Sequence, residues 1–276
     1  MDKKEVKRID FNKLLQSSLK LPLVHIDRDE FLEKELSKYC DSKIVKIAVE
    51  NNPAYAGISS KIIDHIAKSS INYETLKVST ISFAAGIPGG FTMAASIPAD
   101  ITQYYAHILR IIQKLAYIYG WQSLIEKDKT IDDETSQILT LFTGVMFGVK
   151  GATSVVTKIS GSIAQKVGKT LSQKALTKGV IYPIVKKTAT MIGVKMTKDI
   201  FAKSVSKVIP VVGGVVSGGI TFASYKPMSV KFKKYLEKLD LANKEYYEKM
   251  QKNTSIFEDP IEFIDIDYSE INDDLP

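Results

Sequence analysis

The residues best placed to do chemistry stand on one stretch, PADITQYYAHILRIIQKLAYIYGW at positions 98–121, where Asp100, Gln103, His107, Arg110 and Lys114 recur at three- and four-residue steps. At the helical period these five fall on one face. A carboxylate, an imidazole, a guanidinium and an ammonium in one row are the parts of an acid–base or small-ligand site. Asp100 and His107 are two turns apart, about 10 Å, so they cannot share a proton directly and would need a substrate or metal between them. No residue is marked as catalytic beyond the candidates Asp100, His107 and Arg110, and a solvated or inter-helix polar stripe is the competing reading.

Other chemistries lack their parts. The only histidines are His25, His65 and His107, and there is no H-E-x-x-H, no paired cysteine and no G-x-x-x-x-G-K-[ST]. Zinc-hydrolase and P-loop reactions therefore have no anchor, and no metal or cofactor is expected. The glycine-rich Gly86-Ile87-Pro88-Gly89-Gly90 lacks the phosphate-loop lysine, and Cys40, the one cysteine, is expected to be a core residue of its helix.

Positive charge is the second feature. The 276 residues carry a net +7, unevenly: residues 141–239 hold 17 basic and 2 acidic residues, and residues 240–276 hold 3 and 11. Lys158, Lys166, Lys169, Lys186 and Lys187 are the candidates for binding an anionic surface. Arg8, Arg28 and Arg110 are the only arginines, and Tyr182 is the only aromatic between 150 and 200. Lysine is a hydrated point charge without the bidentate fork that reads bases, so an anionic lipid surface fits better than nucleic acid, which is not expected as a partner.

The elements that must position these residues are helical. Residues 29–50 predict two short helices with Asp29 and Asp41 as N-caps, Ile58–Lys68 a third, and 98–121 the clearest of all, ended by Gly120. Thr135–Val149, a lysine-rich stretch from Lys150 with Val155, Ile159, Ile163, Val167 and Leu171 at four-residue steps, and Ile184–Lys207 follow. Val230–Met250 predicts one further polar helix. No block of alternating strands separated by hairpin turns occurs. The fold class is all-α, a multi-helix bundle with glycine-rich helical hairpins.

Two runs carry no charge: Val78–Ala99, 22 residues, and Val208–Tyr225, 18 residues. The first is long enough to span a bilayer but is broken by Pro88, Pro98 and its glycines, so a buried or leaflet-entering hairpin competes with a span. Gly89, Gly90, Gly213, Gly214 and Gly218 in these runs, with Gly144 and Gly148, are candidates for close helix packing or a membrane role, because small residues four apart let helices approach.

Gly89-Gly90-Phe91-Thr92, Ile97-Pro98-Ala99-Asp100-Ile101, Gln113-Lys114-Leu115-Ala116 and Tyr119-Gly120-Trp121, with Ile209-Pro210-Val211-Val212-Gly213-Gly214-Val215 and Thr221-Phe222, resemble the EcsC family. The family is named for a bacterial gene in an operon with an ABC transporter. The resemblance implies a helical, glycine-punctuated protein of bacterial type working near a membrane, and brings no catalytic residue with it.

The expected organisation is an N-terminal segment, 1–24, an EcsC-like helical domain, 25–250, and an acidic tail, 251–276, with no basic residue after Asn253. The tail is expected to be flexible or to fold over the lysines. With one cysteine and no secretory signal at the start, the setting expected is the bacterial cytoplasm, at the inner face of the cell membrane. The expected function is a non-enzymatic, membrane-proximal interaction protein. It would meet an anionic membrane or a membrane-protein partner and associate with an ABC transporter or another envelope system. The alternative is a soluble enzyme or ligand-binding helical protein using the Asp100–His107–Arg110 face.

Overall fold

The computed structural model describes residues 10–22, 24–80, 99–125, 133–167, 182–195 and 217–252. Among these residues the fold is all-α: α1 (Phe11–Leu19), α2 (Arg28–Leu36), α3 (Ser42–Glu50), α4 (Ser60–Thr80), α5 (Ala99–Ile118), α6 (Asp133–Phe147), α7 (Lys150–Ala164), α8 (Tyr182–Lys195), α9 (Ser217–Leu236) and α10 (Lys244–Lys252), with a 3-10 turn at Asp240–Ala242.

α5 is the central element, packed against α1, α2, α4, α6 and α9. Its stripe of Tyr105, Ile108, Leu109, Ile112, Leu115 and Ala116 is fully buried. Each large aliphatic side chain so buried contributes about 1.5–3 kcal/mol. Gly120 (φ +95°) stops the helix as expected: its N–H bonds the Tyr117 carbonyl and the Trp121 N–H bonds that of Ala116, the paired bonds of a Schellman end.

Several expectations change. α4 runs twelve residues beyond Lys68, because Ile63, Ile66, Ala67, Ile71 and Val78 continue one apolar stripe. α2 is capped by Asp27, whose side chain accepts from the Glu30 N–H, whereas Asp29 lies in the first turn beside Arg28. Asp41 precedes α3 without a side-chain cap bond. Tyr182-Pro183 opens α8, where the missing proline N–H costs nothing. The expected helix Val230–Met250 is divided by the 3-10 turn, which buries Leu241. Cys40 sits half-buried in the turn between α2 and α3 rather than in a helix core. α1, inside the expected N-terminal segment, belongs to the common core: Phe11, Leu14 and Leu15 are buried, and the Phe11 ring meets Tyr105 edge-on at 5.5 Å. The expected hairpin at Gly86–Gly90 and residues 253–276 of the expected tail lie outside the described residues, while Gln251 and Lys252 end α10.

Candidate functional site

From His107 to Lys114 the polar face of α5 is built into the protein rather than open to water. Its partner is Glu74 on α4, fully buried, which sequence reasoning did not single out. Arg110 donates from Nε to Glu74 Oε2 at 3.2 Å and from Nη2 to Oε1 at 3.1 Å, and Lys114 Nζ donates to Oε1 at 2.6 Å. His107 Nδ1 lies 3.8 Å from Oε2. Burial alone would raise the Glu74 pKa, but contacts with His107 and Arg110 and the charges of Lys114 and Arg110 outweigh it and hold the carboxyl well below the usual carboxylate range. A carboxylate held so firmly ionised is a poor proton acceptor, and its oxygens are already engaged. This chemistry fits an inter-helix lock better than a general base.

Neighbouring groups complete the lock. Tyr225 of α9 donates its hydroxyl to the His107 carbonyl at 3.0 Å. Lys114 Nζ lies 4.9 Å from the Tyr73 ring centroid and 5.7 Å from that of Phe31, so aromatic faces cover the ammonium. A second ion group ties α4 to α9 further along: Lys233 Nζ stands 2.6 Å from Asp64 Oδ1 and 2.5 Å from Glu237 Oε2. Burial would lower the Lys233 pKa, but hydrogen bonds to Asp64 and Glu237 raise it above the ordinary lysine value.

These contacts fix helix directions. Asp64 pairs with Lys233 at one level, and Glu74, His107 and Tyr225 meet at another. With Tyr119, next after α5, beside Lys233 at the first level, α4 runs antiparallel to α5 and α9. Thr80, the last described residue of α4, and Ala99 and Ser217, the first described residues of α5 and α9, lie towards one end of the bundle. The chain enters and leaves the uncharged run 78–99 at this end, and α9 emerges from the run 208–225 at the same end. α1 also finishes here, with Ser18 Oγ donating to the Thr102 carbonyl at 3.0 Å.

The remaining candidates scatter. Asp100 is in the first turn of α5, its side chain outside the described residues, and Gln103 is half-buried. Lys158 on α7 and Lys186 on α8 are exposed, while Lys166 and Lys187 are half-buried. Thr153 and Thr157 bond Tyr235, which places Lys158 towards the opposite end of the bundle from Ser217. Gly144 does allow close packing, since a Cβ there would stand 2.5 Å from Thr188 Cγ2 and 2.8 Å from Ala152 Cβ. Gly148 (φ +76°) instead forms the stop of α6. Gly218 is in the first turn of α9, and Gly89, Gly90, Gly213, Gly214 and Lys169 lie outside the described residues.

Glu74 was findable. Ile63, Ile66, Ala67, Ser70 and Ile71 step at helical spacing, and the next positions on that stripe are Glu74 and Val78. A charged residue inside an apolar stripe signals a buried partner.

Among the described residues no group of three or more His, Cys, Asp and Glu could share a metal ion, and no helix is long and apolar enough to cross a membrane. No protein-family model, curated protein or solved structure matches the chain.

Proposed function

We propose that this is a non-enzymatic, membrane-proximal interaction protein that meets an anionic bilayer end-on, through the end of the bundle where Thr80, Ala99 and Ser217 lie. The observation that carries the reading is that both uncharged runs join the bundle at this one end. Residues 75–99 and 200–230 contain no Asp or Glu, while lysines stand at 77, 203, 207 and 226. Uncharged, glycine-punctuated segments flanked by lysines suit the boundary between lipid headgroups and acyl chains. Engagement of His107, Arg110 and Lys114 around Glu74 favours this over a reaction on the same face. The motifs around Gly89-Gly90 and Gly213-Gly214 support placing the chain with the EcsC family, and with it a bacterial protein at the inner face of the cell membrane. Association with an ABC transporter or another envelope system is part of the same proposal.

Flotation of the full chain with phosphatidylcholine vesicles, with and without phosphatidylglycerol, tests it. Co-flotation that requires phosphatidylglycerol and weakens with salt is expected. Recovery of all the protein in the vesicle-free fraction under both conditions would reject it.

A further inference from the structure

The two most exposed large apolar side chains described are Tyr73, at 52% exposure, and Leu76, at 59%. They stand three residues apart on the outer face of α4, close to the end that the uncharged runs join. Glu74 between them is fully buried, and its bonds to Arg110 and Lys114 fix the rotation of α4 that turns Tyr73 and Leu76 outwards. Outward placement of this pair thus follows from the buried lock and is not an accident of a loose surface.

At a rise of about 1.5 Å per residue, Leu76 lies about 6 Å and Tyr73 about 10 Å from Thr80, the last described residue of α4. The polar layer on each side of a bilayer is about 5–8 Å deep. An end-on approach brings Leu76 nearest that layer, with the half-exposed Tyr73 one turn behind it on the same face. Lys77 adds a cation beside them, its Nζ 4.8 Å from the centroid of the Tyr73 ring. On the α1 side of the same end, Lys20 is exposed at the C-cap of α1, two residues after the Ser18 hydroxyl that bonds Thr102.

We propose that Tyr73, Leu76 and Lys77, with Lys20 on α1, form the strip that enters the headgroup layer of an anionic bilayer. The proposal rests on the membrane-proximal reading and names its contact residues. The occupant is lipid because the strip joins exposed apolar side chains to cations, lacks a carboxylate between residues 75 and 99, and continues into a run without charge.

Trp121 is the only tryptophan and is buried, so a Leu76→Trp chain carries one environment-sensitive reporter at the strip. With phosphatidylcholine vesicles containing phosphatidylglycerol, its emission should shift to the blue and be quenched by brominated acyl chains. A Tyr73→Ser/Leu76→Ser chain should partition at least about tenfold more weakly than the parent. A Lys20→Glu/Lys77→Glu chain should lose a similar factor on the anionic vesicles alone. If the parent chain floats while the Leu76→Trp emission stays unshifted and unquenched, the strip is wrong and the membrane reading stands. If the parent chain does not float, both fall. A blue shift that follows protein concentration without vesicles would assign the strip to a second copy of the chain and overturn the proposal.

Discussion

Lys114 of α5 and Glu74 of α4 meet at 2.6 Å between Nζ and Oε1, with 10% and 0% of their side chains exposed. Arg110 shares the same carboxylate, so one buried acidic side chain holds two basic ones. Burying such groups is costly, and removing one member leaves the others uncompensated. Glu74→Gln is therefore expected to destabilise the fold by about 3–5 kcal/mol, read from urea unfolding followed by circular dichroism. Replacing Glu74, Arg110 and Lys114 together by Leu, Met and Met should cost far less than the single change, because no orphan charge remains.

The same carboxylate sets an acid limit. Its pKa is lowered in the folded state, so its stabilising contribution is complete above the ordinary glutamate value of about 4.3 and is lost as pH falls from there towards the folded value. The urea midpoint of the parent chain should fall steeply below about pH 5. In Glu74→Gln the slope in that window should be shallower, although the midpoint at neutral pH is already lower. Parallel pH profiles would remove Glu74 from the account of acid sensitivity.

Glycine substitutions should separate by what their new Cβ meets. At Gly120 it would stand 2.8 Å from the Leu241 carbonyl oxygen, a backbone atom, in a left-handed conformation, and at Gly144 2.8 Å from Ala152 Cβ on the facing helix. At Gly148 it would meet Lys231 Nζ at 2.6 Å, the movable tip of a long side chain, and at Gly57 nothing. The expected order of destabilisation by alanine is Gly120, then Gly144, then Gly148 and Gly57, with the first above about 3 kcal/mol and the last two near 1–2 kcal/mol. Thermal melts of the four variants give the ranking directly.

Arg28 should resist even a charge-conserving change. It is buried, donating from Nε to the Trp121 carbonyl at 3.0 Å, from Nη1 to that of Val49 at 2.6 Å and from Nη2 to that of Asn51 at 3.0 Å. It closes the end of α3 and ties it to the end of α5. Lysine carries its donors on one nitrogen, which cannot reach three carbonyls met here by three separate guanidinium nitrogens, so Arg28→Lys is expected to cost about 2–3 kcal/mol, measured by denaturant unfolding.

How much of this was legible follows from the range of each interaction. The apolar stripe of α5 and its stop at Gly120 are local patterns, and both read directly from the chain. The lock could be read only by half: Arg110 and Lys114 stood out, but Glu74 lies 36 and 40 residues away on a helix whose stripe had been ended at Lys68. Arg28 and Asn52 gave no signal, because their carbonyl partners Trp121 and Leu241 are 93 and 189 residues distant and a backbone acceptor has no sequence signature. Asp29 read as the cap of α2, but Asp27 holds that place, because its side chain reaches the amide three residues on. The shared end of the two uncharged runs depends on helix directions, which pairings such as Asp64–Lys233 set and no local pattern does.

Hydrogen–deuterium exchange on the full chain, with and without phosphatidylglycerol-containing vesicles, tests end-on membrane attachment most directly. Slowed exchange in the two uncharged runs and the helix ends that join them, residues 70–104 and 208–224, with residues 153–161 and 233–240 unchanged, is the predicted result. Protection that appears instead at 153–161, or at no segment, would contradict it.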